Sequence, residues 1–396
     1  MSYFLTPAPD FARHNAEVQS VWEAYRAGKP YRVPATVTGS IRVYLQNPDL
    51  NDTGYTFEDF FTNPEAQIRC QLEYQKWQRY NLLCDREMGP PPEWQLAVDF
   101  QNSYEATWFG APLVLQGNHV PDTREILKQD RGRLYDMSCP DVSSGLVGRA
   151  MEFAEYMQER CRDLEFEGAP VKPPQSVPGE GTDGPLDAAY KLRGAAEVCM
   201  DMLTDPDYYH DLMTFVTDCS LKRMKALREW RWERNPEAPD AGQYRQPNWG
   251  FADDAIAMLS VEQYREFVLP YHQRLQDEFW TGEGNMFIHL CGNAWRFFPL
   301  LREELGATTF DTGFPIDFGQ VREQLGPEVE IFGGPTIMLL REGPEEKIRA
   351  EVKRICGTGI MQGGKFVLRE ANNLAPLTPV EHIETFYEAA QQFGRY

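Results

Sequence analysis

The sequence lacks the features that mark a membrane-spanning or exported protein. No apolar run approaches the roughly 18–20 residues needed to cross a bilayer. The first residues, Met1 to Pro7, contain no basic region followed by an apolar core, which a signal peptide would have. We therefore expect a cytoplasmic protein that has no membrane partner.

Positive charge is also scarce, with 39 lysines and arginines against 60 acidic residues and a formal net charge of −21. A surface this negative repels phosphate backbones, so nucleic acid is not an expected partner. The 8 cysteines are scattered and form no Cys-x-x-Cys pair, which indicates free thiols rather than a disulfide framework. No Gly-x-Gly-x-x-Gly follows a predicted strand, which disfavours a nucleotide-binding open sheet.

The chain is long enough, at 396 residues, for one α/β barrel with insertions or for two ordinary domains. Apolar runs bounded by turn residues give eight strand candidates, the last four of which alternate with helical patterns. They lie at 31–39, 94–100, 164–168, 243–250, 286–290, 308–311, 329–333 and 365–368. Eight such units predict a (β/α)8 TIM barrel, with a doubly wound open sheet as the alternative. We expect one domain over residues 1–396, with insertions and an N-terminal helical extension at 1–30.

His289 and Cys291 stand at the end of the predicted strand 286–290. Residues i and i+2 of a strand point to the same face, so the imidazole and the thiol should converge. These two groups are common ligands of zinc, and a catalytic zinc site needs about three protein ligands. The alternative is a small core cysteine beside a hydrogen-bonded core histidine.

In a TIM barrel the active site lies at the carboxyl ends of the strands. This rule selects three acidic residues as candidate catalytic groups: Asp253, Asp311 and Glu105. They have three possible roles, shared with Asp254: binding a substrate hydroxyl, acting as a general acid, or ligating a metal. Each of them is equally suited to capping a helix. The rule also brings in aromatic residues, which favour a flat substrate: Tyr104, Trp108, Trp249, Phe251 and Phe310.

Three stretches resemble the uroporphyrinogen decarboxylase superfamily, and within it the cobamide-dependent methyltransferase branch. They are Phe287-Ile-His-Leu-Cys-Gly-Asn293, Gly363-Gly-Lys-Phe-Val-Leu368 and Pro376-Leu-Thr-Pro-Val-Glu-His-Ile383. The resemblance covers roughly residues 90–396 and implies an eight-stranded βα barrel.

In that branch, zinc is held by a His-x-Cys pair and by a cysteine just after the last strand. His289 and Cys291 match the pair, but the third position is occupied by Asn372. We expect the nearby carboxylate of Glu370 to complete the metal site, with Cys356 as a weaker candidate, and Asn372 to contact substrate. The absence of a cysteine at position 372 is the point at which this sequence departs from the pattern.

Replacing one thiolate by oxygen leaves zinc more electron-poor and therefore a better Lewis acid for an oxygen leaving group. This chemistry favours an O-demethylase that transfers a methyl group from a methoxylated aromatic to a reduced Co(I) corrinoid. No stretch matches Asp-x-His-x-x-Gly, the corrinoid-carrying pattern, so the cobamide is expected on a separate corrinoid protein. A homodimer is possible.

Two other functions remain open from the sequence. One is a methylcobamide:thiol methyltransferase of the coenzyme M type, against which the absent third cysteine counts. The other is a non-catalytic barrel that binds a corrinoid or an aromatic ligand. A metal-free decarboxylase is disfavoured, because residues 31–43 lack the Met-Arg-Gln-Ala-Gly-Arg stretch whose arginines hold the substrate carboxylates.

Overall fold

The computed structural model describes residues 2–396 and has the α/β class that the sequence predicts. Met1, part of the predicted N-terminal extension, lies outside the described residues. The strands are β1 (Ala35–Thr36), β2 (Trp94–Gln95), β3 (Leu113–Val114), β4 (Asp122–Thr123), β5 (Glu165–Phe166), β6 (Ala169–Lys172), β7 (Trp249–Ala252), β8 (Met286–Leu290), β9 (Thr309–Thr312), β10 (Glu330–Gly333) and β11 (Phe366–Arg369).

Helices fill most of the remaining chain. They are α1 (Phe11–Arg26), α2 (Arg42–Leu45), α3 (Phe57–Thr62), α4 (Pro64–Asn81), α5 (Tyr104–Trp108), α6 (Gly145–Arg160), α7 (Pro185–Arg193), α8 (Ala195–Thr204), α9 (Pro206–Arg234), α10 (Val261–Phe267), α11 (Leu269–Phe279), α12 (Phe298–Leu305), α13 (Phe318–Leu325), α14 (Ile337–Glu342), α15 (Glu345–Cys356) and α16 (Val380–Phe393). Among residues 2–396, none of these helices combines the length and the apolar character that a membrane crossing needs.

A six-stranded parallel sheet forms the centre of the fold, in the spatial order β1-β11-β10-β9-β8-β7. Its carboxyl ends lie together because every pair in it is parallel. The register sets Ala252 of β7 beside His289 of β8, and His289 beside Asp311 of β9. Three residues that are distant in sequence thus lie side by side at the carboxyl end of the sheet.

The side chains of β8 alternate between two environments. Met286, Ile288 and Leu290 are buried, whereas Phe287 and His289 are half-buried. The first set packs into the hydrophobic layer beneath the helices, and the second faces the interior of the curved sheet. The predicted alternation along this strand, with bounds 286–290, is therefore confirmed.

The third predicted strand, at 164–168, is wrong in its extent. The chain there forms an antiparallel hairpin of β5 and β6, and it is β6 that pairs in parallel with β2. The tight turn at Glu167 and Gly168 explains the difference, because both residues have positive φ, at 49° and 77°. The fourth strand is also shifted, from 243–250 to Trp249–Ala252.

Candidate metal centre

Three side chains from two adjacent strand ends form a cluster with metal-binding geometry. The ligand atoms of Asp254, His289 and Cys291 all lie within 4.8 Å of one another. His289 Nε2 is 3.0 Å from Cys291 Sγ, and the backbone N–H of Cys291 donates to Asp254 Oδ1 at 2.6 Å. One nitrogen, one sulfur and one oxygen are a ligand set suited to zinc with an open fourth position.

Backbone geometry brings the cluster together. Cys291 follows β8 directly, and Gly292 has a φ of 72° that turns the chain away after it. The loop after β9 approaches so closely that a Cβ on Gly313 would lie 2.2 Å from the backbone nitrogen of Gly292. Only glycine at 313 permits this approach, which holds Cys291 in place from the β9 side.

Asp311 orients the imidazole of His289. Its Oδ2 lies 2.7 Å from His289 Nδ1, and Arg369 Nη1 donates to the same oxygen at 3.0 Å. Burial lowers the pKa of His289, but the bond to Asp311 outweighs burial, so that pKa is raised. A proton on Nδ1 leaves the Nε2 lone pair directed towards Cys291, as metal-binding histidines require.

The thiol of Cys291 lies in surroundings that disfavour a bare thiolate. Burial first, and then the neighbouring carboxylate of Asp254, raise the pKa of Cys291. Without a cation, the carboxylates of Asp254 and Asp311 repel a thiolate at Cys291, which costs electrostatic free energy. A bound divalent cation removes this cost, so the donor set fits a metal ion on electrostatic grounds.

Two cavities meet at His289. The mouth pocket, of about 580 Å³, opens at the strand ends and is mostly polar; it is lined by Ser40, Arg42, Asp99, Gln101, Asn102, Asp183, Asp187, Lys191, Ala252, Asp254, His289, Cys291, Ile337 and Asn372 to Pro376. The side chamber, of about 500 Å³, follows β7 and is mostly apolar; it is lined by Asn248 to Ala252, Asn285, Phe287 and His289.

Residues 249–393 match the sequence profile of the family described as uroporphyrinogen decarboxylase (URO-D). A curated relative, the methylated-thiol–coenzyme M methyltransferase of Methanosarcina mazei, is 26% identical over 138 residues, which are 34% of this chain and 35% of that relative. The chain thus aligns with about a third of the length of that relative.

A solved structure, described as a methyltransferase from Methanosarcina mazei, extends the comparison to the fold. It is 18% identical and has a TM-score of 0.60, with 95% of this chain and 98% of that chain covered. The predicted barrel class and the predicted resemblance to the methyltransferase branch of the URO-D superfamily are therefore confirmed.

Glu370 does not belong to the cluster of Asp254, His289 and Cys291. Its carboxylate accepts hydrogen bonds from the backbone N–H of Thr38 at 3.0 Å, from the Thr38 hydroxyl, and from Arg369 at 3.2 Å. Burial raises the pKa of Glu370 to about 7. The sequence-based choice of Glu370 as third ligand thus gives way to Asp254, which the β7–β8 register places beside Cys291.

Asp253, a predicted catalytic residue, is fully buried and caps a helix. Its carboxylate accepts from the backbone N–H groups of Leu186 and Asp187, at 3.0 and 3.1 Å, in the first turn of α7. His272 Nε2 lies 2.9 Å from the same carboxylate, and burial lowers the pKa of His272 to about 3. The side chain therefore anchors α7 and does not reach either cavity.

Glu105 is likewise buried, in an ion pair with Arg223 at 2.7 Å in which neither side chain is exposed. It also accepts from Ser220 at 3.1 Å, so its oxygens are occupied by protein groups. The guanidinium of Arg223 lies over the rings of Trp108 and Tyr104, with its carbon 5.1 and 5.8 Å from their centroids. This predicted part of the site is a structural cluster behind α5.

The predicted aromatic residues divide into two groups. Trp249 and Phe251 line the side chamber, although their rings pack against Phe279 and His272. Phe310 stacks on Phe298 of α12 with ring centroids 4.3 Å apart, and so faces the helices. Its neighbour Asp311 points inward, which forces Phe310 outward because adjacent strand residues face opposite sides.

Asn372 lines the mouth pocket and has a φ of 81°. Sequence reasoning missed five charged residues of this pocket: Arg42, Asp99, Asp183, Asp187 and Lys191. Lys191 donates to Asp183 Oδ2 at 3.0 Å and to the Asn102 carbonyl at 2.6 Å. Asp187 lies in the first turn of α7, just after the stretch 169–185 that is rich in proline and glycine, which was the available signal.

Proposed function

We propose that this chain is a zinc-dependent methyltransferase that moves a methyl group from an aryl methyl ether to the reduced cobalt of a separate corrinoid protein. The observation that carries the proposal is the cluster of Asp254, His289 and Cys291 at the strand ends. The names of the relatives support the general activity, since both are described as methyltransferases.

Zinc, when bound, would act as a Lewis acid on the atom that carries the methyl group. Asp254, His289 and Cys291 would hold it, and Asp311 keeps the imidazole of His289 in the ligating tautomer. Arg369 in turn holds Asp311 through a 3.0 Å hydrogen bond. These contacts fix the ligands before substrate arrives, so that little reorganisation is needed during the reaction.

The donor set favours an ether over a thioether as methyl donor. Only one of the three ligands is a thiolate, and a carboxylate occupies the place of another sulfur. A zinc ion with fewer thiolates attracts electron density from a departing oxygen more strongly. In the overall reaction Co(I) supplies the electron pair of the new bond to the methyl carbon and becomes Co(III), while the oxygen keeps the electron pair of the broken C–O bond and takes a proton from solvent to end as a phenol.

The mouth pocket is suited to the corrinoid partner. Its rim carries amide and hydroxyl side chains that can hydrogen-bond to the amide substituents of a corrin ring: Ser40, Gln101, Asn102, Asn372 and Asn373. The pocket opens at the strand ends, directly above the metal ligands. A protein-bound corrinoid seated there would bring its cobalt towards the methyl group.

A second candidate is methyl transfer between a corrinoid and a thiol. The observation that favours it is the similarity to a methylated-thiol–coenzyme M methyltransferase. The two candidates differ in the atom that carries the methyl group, oxygen or sulfur, and share the metal centre.

The deciding experiment measures bound zinc and methyl transfer in the same preparation. We expect about one zinc per chain, and formation of methylcobalamin from cob(I)alamin and 2-methoxyphenol. Cys291→Ala should abolish both, whereas the control Cys356→Ala, at the end of α15, should abolish neither. Absence of zinc would refute the mechanism, and transfer to or from thiols alone would favour the second candidate.

A further inference from the structure

We propose that the methyl donor reaches the metal centre through an opening in the barrel wall beside β7, while the mouth pocket is left to the corrinoid protein. This inference rests on the proposed function and assigns a separate route to each of its two substrates. It identifies the side chamber as the binding site of the aryl methyl ether.

The wall of the barrel is incomplete at β7. This strand is the last of the six-stranded sheet, and β6 pairs with β2 and β5 in a separate sheet. Within residues 2–396, no strand pairs with the outer edge of β7. The inward-facing side of β7 and β8 borders the side chamber, which is open to solvent, as well as the mouth pocket.

Glycine at position 250 allows a close approach of β7 to β8 along the side chamber. A Cβ there would lie 2.3 Å from the carbonyl oxygen of Phe287 and 2.9 Å from its Cβ. No larger residue fits without pushing the two strands apart. The half-buried side chains of Phe287 and His289, two residues apart on β8, both face this space.

The position of the opening follows from a second glycine. Gly184, just before α7, lies so close to the carboxyl end of β7 that a Cβ on it would be 2.3 Å from Asp253 and 2.6 Å from the Ala252 carbonyl. The chain before α7 therefore covers that end of the strand. The opening lies at the other end, beside Asn248, which is exposed.

The lining of the side chamber suits an uncharged ring. Phe287 and the backbone and Cβ atoms of β7 form most of its surface, and the amides of Asn248 and Asn285 stand near its outer end. Among the described residues that line it, His289 is the one titratable group. The side chamber has a volume of about 500 Å³ and is widely open to solvent, so that a single substituted ring would lie against Phe287 and β7 with its other face exposed.

The mouth pocket offers the opposite environment. It is lined by four carboxylates and two cationic groups, which an apolar ring would have to desolvate without compensation. A docked corrinoid protein would also cover it. Because both cavities reach His289, the donor in the side chamber and the corrinoid in the mouth pocket can be bound at the same time.

The test uses the zinc-loaded full chain and measures binding of 2-methoxyphenol by calorimetry and the KM for cob(I)alamin. Asn248→Trp should obstruct the opening and raise the Kd for 2-methoxyphenol at least about tenfold, with zinc content unchanged. Asn373→Trp, in the mouth pocket, should raise the KM for cob(I)alamin and leave the Kd for 2-methoxyphenol within about twofold. Gln243→Trp, an exposed position that lines neither cavity, is the matched control and should change neither quantity.

Two results would overturn the inference. In one, Asn248→Trp leaves the Kd unchanged while Asn373→Trp weakens 2-methoxyphenol binding, which places the donor in the mouth pocket. In the other, the zinc-loaded wild type binds no 2-methoxyphenol; the zinc content and methyl transfer from other donors would then still decide the proposed function separately. Should Asn248→Trp not fold, Phe287→Leu replaces it, with an expected rise in the Kd of at least about threefold from the lost ring contact.

Discussion

His289 Nδ1 lies 2.7 Å from Asp311 Oδ2, and the two residues are directly paired across β8 and β9. The carboxylate therefore fixes both the rotation of the imidazole and the nitrogen that carries its proton. Because Arg369 holds the same oxygen, the arrangement spans β8, β9 and β11. Three strands of the sheet thus contribute to the position of one metal ligand.

Asp311→Asn should weaken zinc binding about 10–100-fold, the usual effect of removing an outer partner of a ligating histidine. Asparagine keeps the shape of the side chain but loses the charge that raises the basicity of His289. Competition with a chromophoric chelator measures the change in Kd. Asp141→Asn, at an exposed loop position that caps Ser143, is the control and should leave the Kd unaltered.

The third ligand can be identified by two substitutions that each remove one carboxylate. Asp254→Asn should weaken zinc binding at least about tenfold, because it removes an atom of the cluster itself. Glu370→Gln should leave the affinity within about twofold, since its carboxylate is occupied by Thr38 and Arg369. The reverse order of effects would restore Glu370 as the ligand.

Glu370 should also make stability depend on pH. Burial raises its pKa from an ordinary 4.5 to about 7, against the lowering effects of Arg369 and Thr38; the nearby Tyr74 and Cys84 are the other titratable groups facing it. The folded state therefore binds the proton more tightly than the unfolded chain. The resulting stabilisation is complete below pH 4.5 and is lost as the pH rises through about 7.

Glu370→Gln lacks this titration. Between pH 5 and pH 8, its free energy of unfolding should therefore improve relative to wild type by up to roughly 3 kcal/mol. Urea unfolding of both proteins at the two pH values measures the difference. If the variant and the wild type differ in free energy of unfolding by the same amount at pH 5 and at pH 8, the carboxylate of Glu370 does not titrate in this range.

Glu105→Gln should destabilise the fold by about 3–5 kcal/mol, because it leaves the buried guanidinium of Arg223 without its counter-charge. Glu65→Gln, whose carboxylate forms an exposed pair with Arg160, should cost less than about 1 kcal/mol. Urea unfolding provides both numbers. Methyl transfer per folded molecule should be unchanged in Glu105→Gln, and a selective loss of turnover would return Glu105 to a catalytic role.

The sequence carried enough information to place His289 beside Cys291, because two residues of one strand define their own geometry. It did not distinguish Asp254 from the other carboxylates at strand ends. Asp254 is 37 positions away from Cys291, and only the pairing of β7 with β8 brings them together. Contacts across strands depend on register, which hydrophobic periodicity does not determine.

The aromatic residues show a different limit. Proximity to a strand end was taken to mean proximity to substrate, but Phe310 faces the helices because Asp311 faces inward. Strand alternation alone predicts that Phe310 and Asp311, as adjacent residues of one strand, face opposite sides of the sheet. The hairpin of β5 and β6 was missed for a local reason: Glu167 adopts a positive φ, which non-glycine residues seldom do.

The unpaired edge of β7 has a mechanical consequence. Within residues 2–396, no ladder of hydrogen bonds joins this outer edge to another strand, so that the edge and the sheet of β2, β5 and β6 can move apart while breaking only side-chain contacts. β8 is hydrogen-bonded on both sides, to β7 and to β9, which fixes the position of His289. Substitutions on the outer side of β7 can therefore alter the room for bulkier compounds at the proposed donor site, whereas Asp254, just beyond β7, has to keep its place for the metal.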